Sequence, residues 1–161
     1  MNPEFLPDRK IETKTFPKES LFGDAHTLIL GDKEYDVYKL IDYTREIVPV
    51  ETRVETLKNQ LSAEQTWSDS NNQTFSSKDL LTAYTELGSW EALELAHPEW
   101  TDHINKTKTA DYRYPIILYK GELMDGTHRL VRAIIEKVEH IPVRNLEILP
   151  EDTLYVPQGS V

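Results

Sequence analysis

The stretch from Tyr114 to Ile135 constrains this chain more than any other. It reads as a hairpin that runs into a helix. Ile116 to Tyr119 is a short apolar, β-prone run, Lys120-Gly121 is a turn, and Glu122 to Met124 is a second strand that Asp125-Gly126-Thr127 breaks. From His128 onward, Leu130, Val131, Ala133, Ile134 and Ile135 fit helical spacing, with Arg129, Arg132 and Glu136 between them. Asp125 or Thr127 is placed to cap that helix, and Gly126 to let the backbone come close to a ligand. The helix N-terminus beside His128 and Arg129 then makes an anion site suited to phosphate. Asp-Gly before a helix is also an ordinary turn with a cap, and arginine on a first turn is often solvated. The pattern alone leaves both readings open.

Tyr114-Pro115-Ile116-Ile117, Met124 to Arg129, Ala133 and Ile141-Pro142-Val143 together resemble the core of the ParB/sulfiredoxin-like superfamily, over roughly Arg113 to Val143. Pro49 to Val54 resembles the family's earlier strand more loosely. The resemblance implies a strand-to-helix loop that holds nucleotide phosphates. Members include sulfiredoxins, which use ATP, free serine kinases, which use ADP or ATP, and partition proteins, which bind CTP. Others are described as ParB-like nucleases. Carried onto this chain, the resemblance implies ATP or ADP as cofactor. Gly126 and Thr127 would offer backbone N–H groups, and His128 and Arg129 would contact phosphate oxygens. Arg132, one turn on, would reach the same anion or stay in solvent. Magnesium carried by the nucleotide would find a direct or water-mediated ligand in Asp125, whose other reading is a cap.

The serine kinases use an early glutamate as general base. Glu51 or Glu55 stands in a similar place, where a carboxylate opposite a γ-phosphate would take a hydroxyl proton. Each also reads as a solvated edge-strand residue, and Arg53 as a second phosphate ligand or a surface charge. Two departures narrow the family reading. Sulfiredoxins carry a cysteine directly before the His-Arg, where this chain has Thr127, and the chain has no cysteine. Sulfinic acid repair is therefore excluded. Partition proteins continue into a helix-turn-helix domain, and no such segment follows here, so a complete partition protein is not expected.

The 161 residues are most simply one domain with a real core. The net charge of −10 argues against non-specific DNA or anionic-membrane binding. No apolar run approaches the ~20 residues of a membrane helix, and no h-region opens the chain, so a cytoplasmic location is expected. Without cysteine there is no disulfide framework and no thiolate metal site. His97 and His103, six apart across Pro98, lack a standard ligand spacing, and no protein-only zinc site is expected.

Residues 1–24 read as an extended arm, with Phe5, Leu6, Phe16, Leu21 and Phe22 as packing candidates. Thr27 to Leu30 is a strand candidate, and Val37, Leu40 and Ile41 make a helical face. Glu46 to Val54 is extended, near an edge because of Pro49, and Glu55 to Leu61 a short helix. Ser62 to Asn72 reads as a polar loop. Ser76 and Asp79 form a capping box that opens a helix, Gly88 stops it, and Ser89 to Ala96 is another helix. Pro98 to Ile104 reads as a further turn or two of helix, and Asn105 to Asp111 as polar chain. Ile141 to Val143 is a strand, edge-like because of Pro142, and 149–161 a tail.

The expected architecture is α/β (α+β). A small mixed curved sheet over 25–148 is flanked by helices, with a helical insertion at 62–110. The three tryptophans of that block anchor helices or line a lid, and Trp67, in a polar loop, is the candidate to stack on a base. The expected function is nucleotide binding, with phosphoryl transfer to a hydroxyl through Glu51, Asp125 and His128. A non-catalytic nucleotide-sensing or protein-interaction module and a ParB-like nuclease are the alternatives. The partner is a nucleotide together with an unidentified small molecule or protein.

Overall fold

Residues 27–61 and 66–156 are described in a computed structural model. The expected N-terminal arm and the last five residues of the tail lie outside them. In chain order the elements are β1 (Thr27–Leu30), β2 (Lys33–Asp36), α1 (Val37–Tyr43), β3 (Val50–Arg53), α2 (Val54–Leu57), β4 (Thr66–Ser68) and β5 (Thr74–Ser76). Then follow α3 (Ser77–Leu87), α4 (Trp90–Ala96), α5 (Thr101–Thr109), β6 (Ile116–Tyr119), β7 (Glu122–Asp125), α6 (Thr127–Ile135) and β8 (His140–Leu146). The class is mixed α/β, as expected.

The central sheet has the order β3-β8-β6-β7. β6 and β8 run parallel, and β3 and β7 are antiparallel to their neighbours. Residues alternate between its two faces, as a strand's period of two requires. Ile116, Leu118, Leu123, Ile141 and Val143 join one core with Val54, Leu80, Leu93, Trp100, Ile104 and Leu130. Ile117, Met124 and Leu146 join a second core with Tyr35, Val37, Leu40 and Ile41. So the helices from α2 to α6 cover one face, and α1 with the β1–β2 hairpin covers the other. The unbroken apolar run at Ile116 to Leu118 is what a strand buried on both faces needs.

The 62–110 block is therefore structural in its described part. Phe75, Leu80, Leu93, Trp100 and Ile104 supply one core directly. The capping box and the stop at Gly88 are those the sequence marked; the cap at Ser89 is a further one. Ser76 accepts from the Asp79 amide at 3.1 Å and the Asp79 carboxylate accepts from the Ser76 amide at 2.8 Å. Gly88 ends α3 in the left-handed region, and Ser89 caps α4.

Three expectations need correction. The polar loop at 62–72 holds a strand: β4 pairs with β5, with Trp67 opposite Phe75. Asp69 shapes the turn by accepting from the amides of Asn71 and Gln73. Second, α5 continues to Thr109. Ile104 and Thr107 face inward, and the hydroxyls of Thr107 and Thr109 donate to carbonyls one turn back. Third, Pro142 lies in an interior strand, between β3 and β6. The pairing with β6 begins at Val143, one residue past the missing N–H.

Candidate functional site

The β6–β7 hairpin closes through Lys120 and Gly121, both at positive φ, a turn that matches strand twist. Leu118 pairs with Leu123 but Ile117 pairs with Asp125, so Met124 is an extra residue and the strand bulges before the junction. Gly126 follows at φ 108 and starts α6. No side chain caps the helix, which replaces the expected cap at Asp125 or Thr127.

Gly126 is needed for packing. A Cβ built there would lie 2.4 Å from Cγ2 of Ile116 and 2.9 Å from its Cβ. The glycine brings α6 onto β6; its expected close approach was to a ligand. Arg129 is also turned inward. Its Nη2 donates to Oδ2 of Asp125 at 2.6 Å, and its Nη1 donates to the carbonyls of Pro115 and Tyr114 at 2.8 and 3.2 Å. Both side chains of the pair are about nine-tenths buried. Arg129 thus ties α6, β7 and the entry to β6 together from behind the loop. A magnesium ion or a proton on Asp125 would have to share the carboxylate with it.

The other expected residues are dispersed. Arg132 donates to Glu136 and to the Ala110 carbonyl and lies over the Tyr112 ring at 5.7 Å. Glu51 is exposed on β3, the edge opposite β7, and pairs with Pro142. Two strands separate it from Asp125, roughly 14 Å at the usual strand spacing. Arg53 lies at a surface cleft of about 610 Å³, with Lys58, Lys137, Glu55 and Glu139. That cleft sits by the C-terminal end of α6, away from the junction.

Thr127 and His128, both half-buried, stay at the front of the junction. Here the structure brings in His103, which the sequence presents only as a poorly spaced metal ligand. Nε2 of His128 lies 3.0 Å from Nδ1 of His103 on α5, and Nε2 of His103 lies 3.2 Å from the Ser68 carbonyl on β4. The two imidazoles are coplanar within 5°, and the Trp67 indole stacks on both, at 4.4 and 4.7 Å between centroids. With ring centroids only 5.3 Å apart, the two histidines share one face of the indole. Phe75 meets Trp67 and His103 edge-on and stacks on Trp100, which stacks in turn on His97. Burial, and secondarily Lys106, holds the His103 imidazole below its usual range, opposed by Asp102 and the Ser68 carbonyl.

Trp67, expected to stack on a base or to anchor a helix, stacks on the two imidazoles. His103 itself gave no signal, because nothing in its local spacing refers to a partner 25 residues on. Among the described residues no group of three or more His, Asp or Glu is placed to hold a metal ion, and no helix is long and apolar enough to cross a membrane. No protein-family model, characterised protein or solved structure matches this chain.

Proposed function

We propose that this chain is a nucleotide-binding domain of the ParB/sulfiredoxin type, which takes the phosphates of ATP or ADP at the start of α6. The observation that carries the reading is the uncapped first turn of α6, with Thr127 and His128 at its front and an indole and two imidazoles beside it. A helix N-terminus without a side-chain cap favours an anion through its amides and dipole. His128 would add a hydrogen bond to a phosphate oxygen, and Trp67 an apolar wall.

Binding without turnover is the form the geometry favours. Asp125 is engaged by Arg129, and Glu51 stands on the far edge of the sheet, so neither carboxylate is placed as a base at the junction. Phosphoryl transfer to a hydroxyl would fall to His128. The net charge of −10 weighs against the nuclease alternative.

Calorimetric titration with ATP, ADP, CTP and GTP, with and without magnesium, tests the proposal. One nucleotide should bind at micromolar affinity, and His128→Ala should weaken it about tenfold or more. Failure of all four to bind a folded protein would remove the reading.

A further inference from the structure

β3 ends the four-stranded sheet, with β8 on one side of it and, among the described residues, no strand on the other. Its register with β8 fixes which backbone groups point outward. The amide of Val54 donates to the carbonyl of Glu139 at 2.9 Å, and successive residues of a strand send their backbone groups to opposite sides. Val50 and Thr52 therefore bond β8. Glu51, opposite Pro142, which has no N–H to give, and Arg53 turn their N–H and C=O groups away from the sheet. The Arg53 carbonyl accepts the Thr56 hydroxyl at 2.7 Å and keeps a second lone pair. Both side chains are exposed, and so are Val48 and Val50, at 80% and 55% of their full surface. We infer that this edge pairs antiparallel with the same edge of a second copy, Glu51 of each chain opposite Arg53 of the other, joining the two four-stranded sheets into one.

Charge selects the register. A two-fold pairing through the outward groups sets Glu51 opposite Glu51, Arg53 opposite Arg53, or Glu51 opposite Arg53. The first two put like charges directly across from each other, which destabilises a strand pair. The third makes a Glu–Arg pair at each end of the contact, on one face of the joined sheet. Each of these pairs exchanges both of its backbone hydrogen bonds. Thr52 then meets Thr52 of the second copy on the other face. Val50 lies diagonal to that threonine, where its exposed side chain gains cover.

Charges on a sheet edge ordinarily keep other strands off. Here the two charges are opposite in sign and stand two residues apart, so the edge is complementary to its own reverse. An unrelated extended peptide matches that order only by chance, and a second copy always does. The contact is short, far below the standard interface size, and makes a weak dimer. It lies two strands from the Asp125 junction, so it stands whether or not a nucleotide binds there.

Sedimentation velocity of the full chain, from about 10 micromolar to about 1 millimolar, tests this. The chain should pass from monomer to dimer across that range. Glu51→Arg and Arg53→Glu, each setting like charges opposite, should each raise Kd about tenfold. An equal mixture of the two variants should dimerise again, and so should a chain carrying both changes, since each restores a Glu–Arg match. Glu51→Pro removes an N–H that β8 does not use, so the fold should be kept and the dimer lost. In amide exchange on the unaltered chain, Glu51 and Arg53 should gain protection as concentration rises, and these amides decide if a variant fails to fold. A monomer throughout the range, a dimer indifferent to the charge reversals, or a loss that neither the mixture nor the double variant restores would each overturn the pairing. Protection of the two amides at every concentration would mean that another segment of the same chain covers the edge, and would overturn it too.

Discussion

Arg129 and Asp125 hold opposite charges where little water reaches, so each makes the other tolerable. Removing one strands its partner, at about 3–5 kcal/mol. Arg129→Met and Asp125→Asn should each lose stability of that order in urea unfolding. Arg132→Met, at a far more exposed pair, should lose about 1 kcal/mol. Gly126→Ala combines a left-handed φ with a Cβ inside Ile116, and should cost about 3 kcal/mol or more on the same measurement. His103 adds a pH term. Its imidazole is harder to protonate in the folded chain than in the unfolded one, where the ordinary value is 6.5. Between the two values the unfolded chain binds more protons. Stability should hold above about pH 6.5 and fall as pH drops through that window, and His103→Gln should flatten the fall. These residues were legible in part. Asp125 and Arg129 stand four apart, the spacing of a helical ion pair, yet Asp125 lies one residue before the helix cap, where the rule for helix faces gives no warning.

Among the elements, those with local signals were the readable ones. The capping box at Ser76 and Asp79 and the stop at Gly88 each act within four residues, and the structure has both. Ser76→Ala should lower the midpoint of thermal unfolding, at a cost of about 1 kcal/mol. The β4–β5 hairpin was hidden because each strand is three residues long and β4 turns only Trp67 inward between exposed Thr66 and Ser68. Nothing so short alternates enough to be seen. The sequence hides the length of α5 because its last five residues are polar, though Thr107 is buried by what packs on it. Pro142 misled for a related reason. A proline marks an edge only when its neighbours need its N–H, and that depends on where the next ladder starts.

At the scale of the molecule, β6 and β8 are the two interior strands, and β6 feeds both cores. In native-state hydrogen exchange their amides, with those of α6, should be the slowest and should exchange only by global opening. The β1–β2 hairpin, a sheet of its own with Ile29 largely exposed, should open earlier. The strand order has a consequence in time. β3 and β6 are not paired; β8 lies between them and is made after both. Val50 waits about ninety residues for its partner Val143. At a synthesis rate of about 5–20 residues per second, β3 spends roughly 5–20 seconds on the ribosome with no strand to join. The four-stranded sheet cannot assemble stepwise behind the growing chain, and forms only when residues 140–146 slot into a gap held open for them.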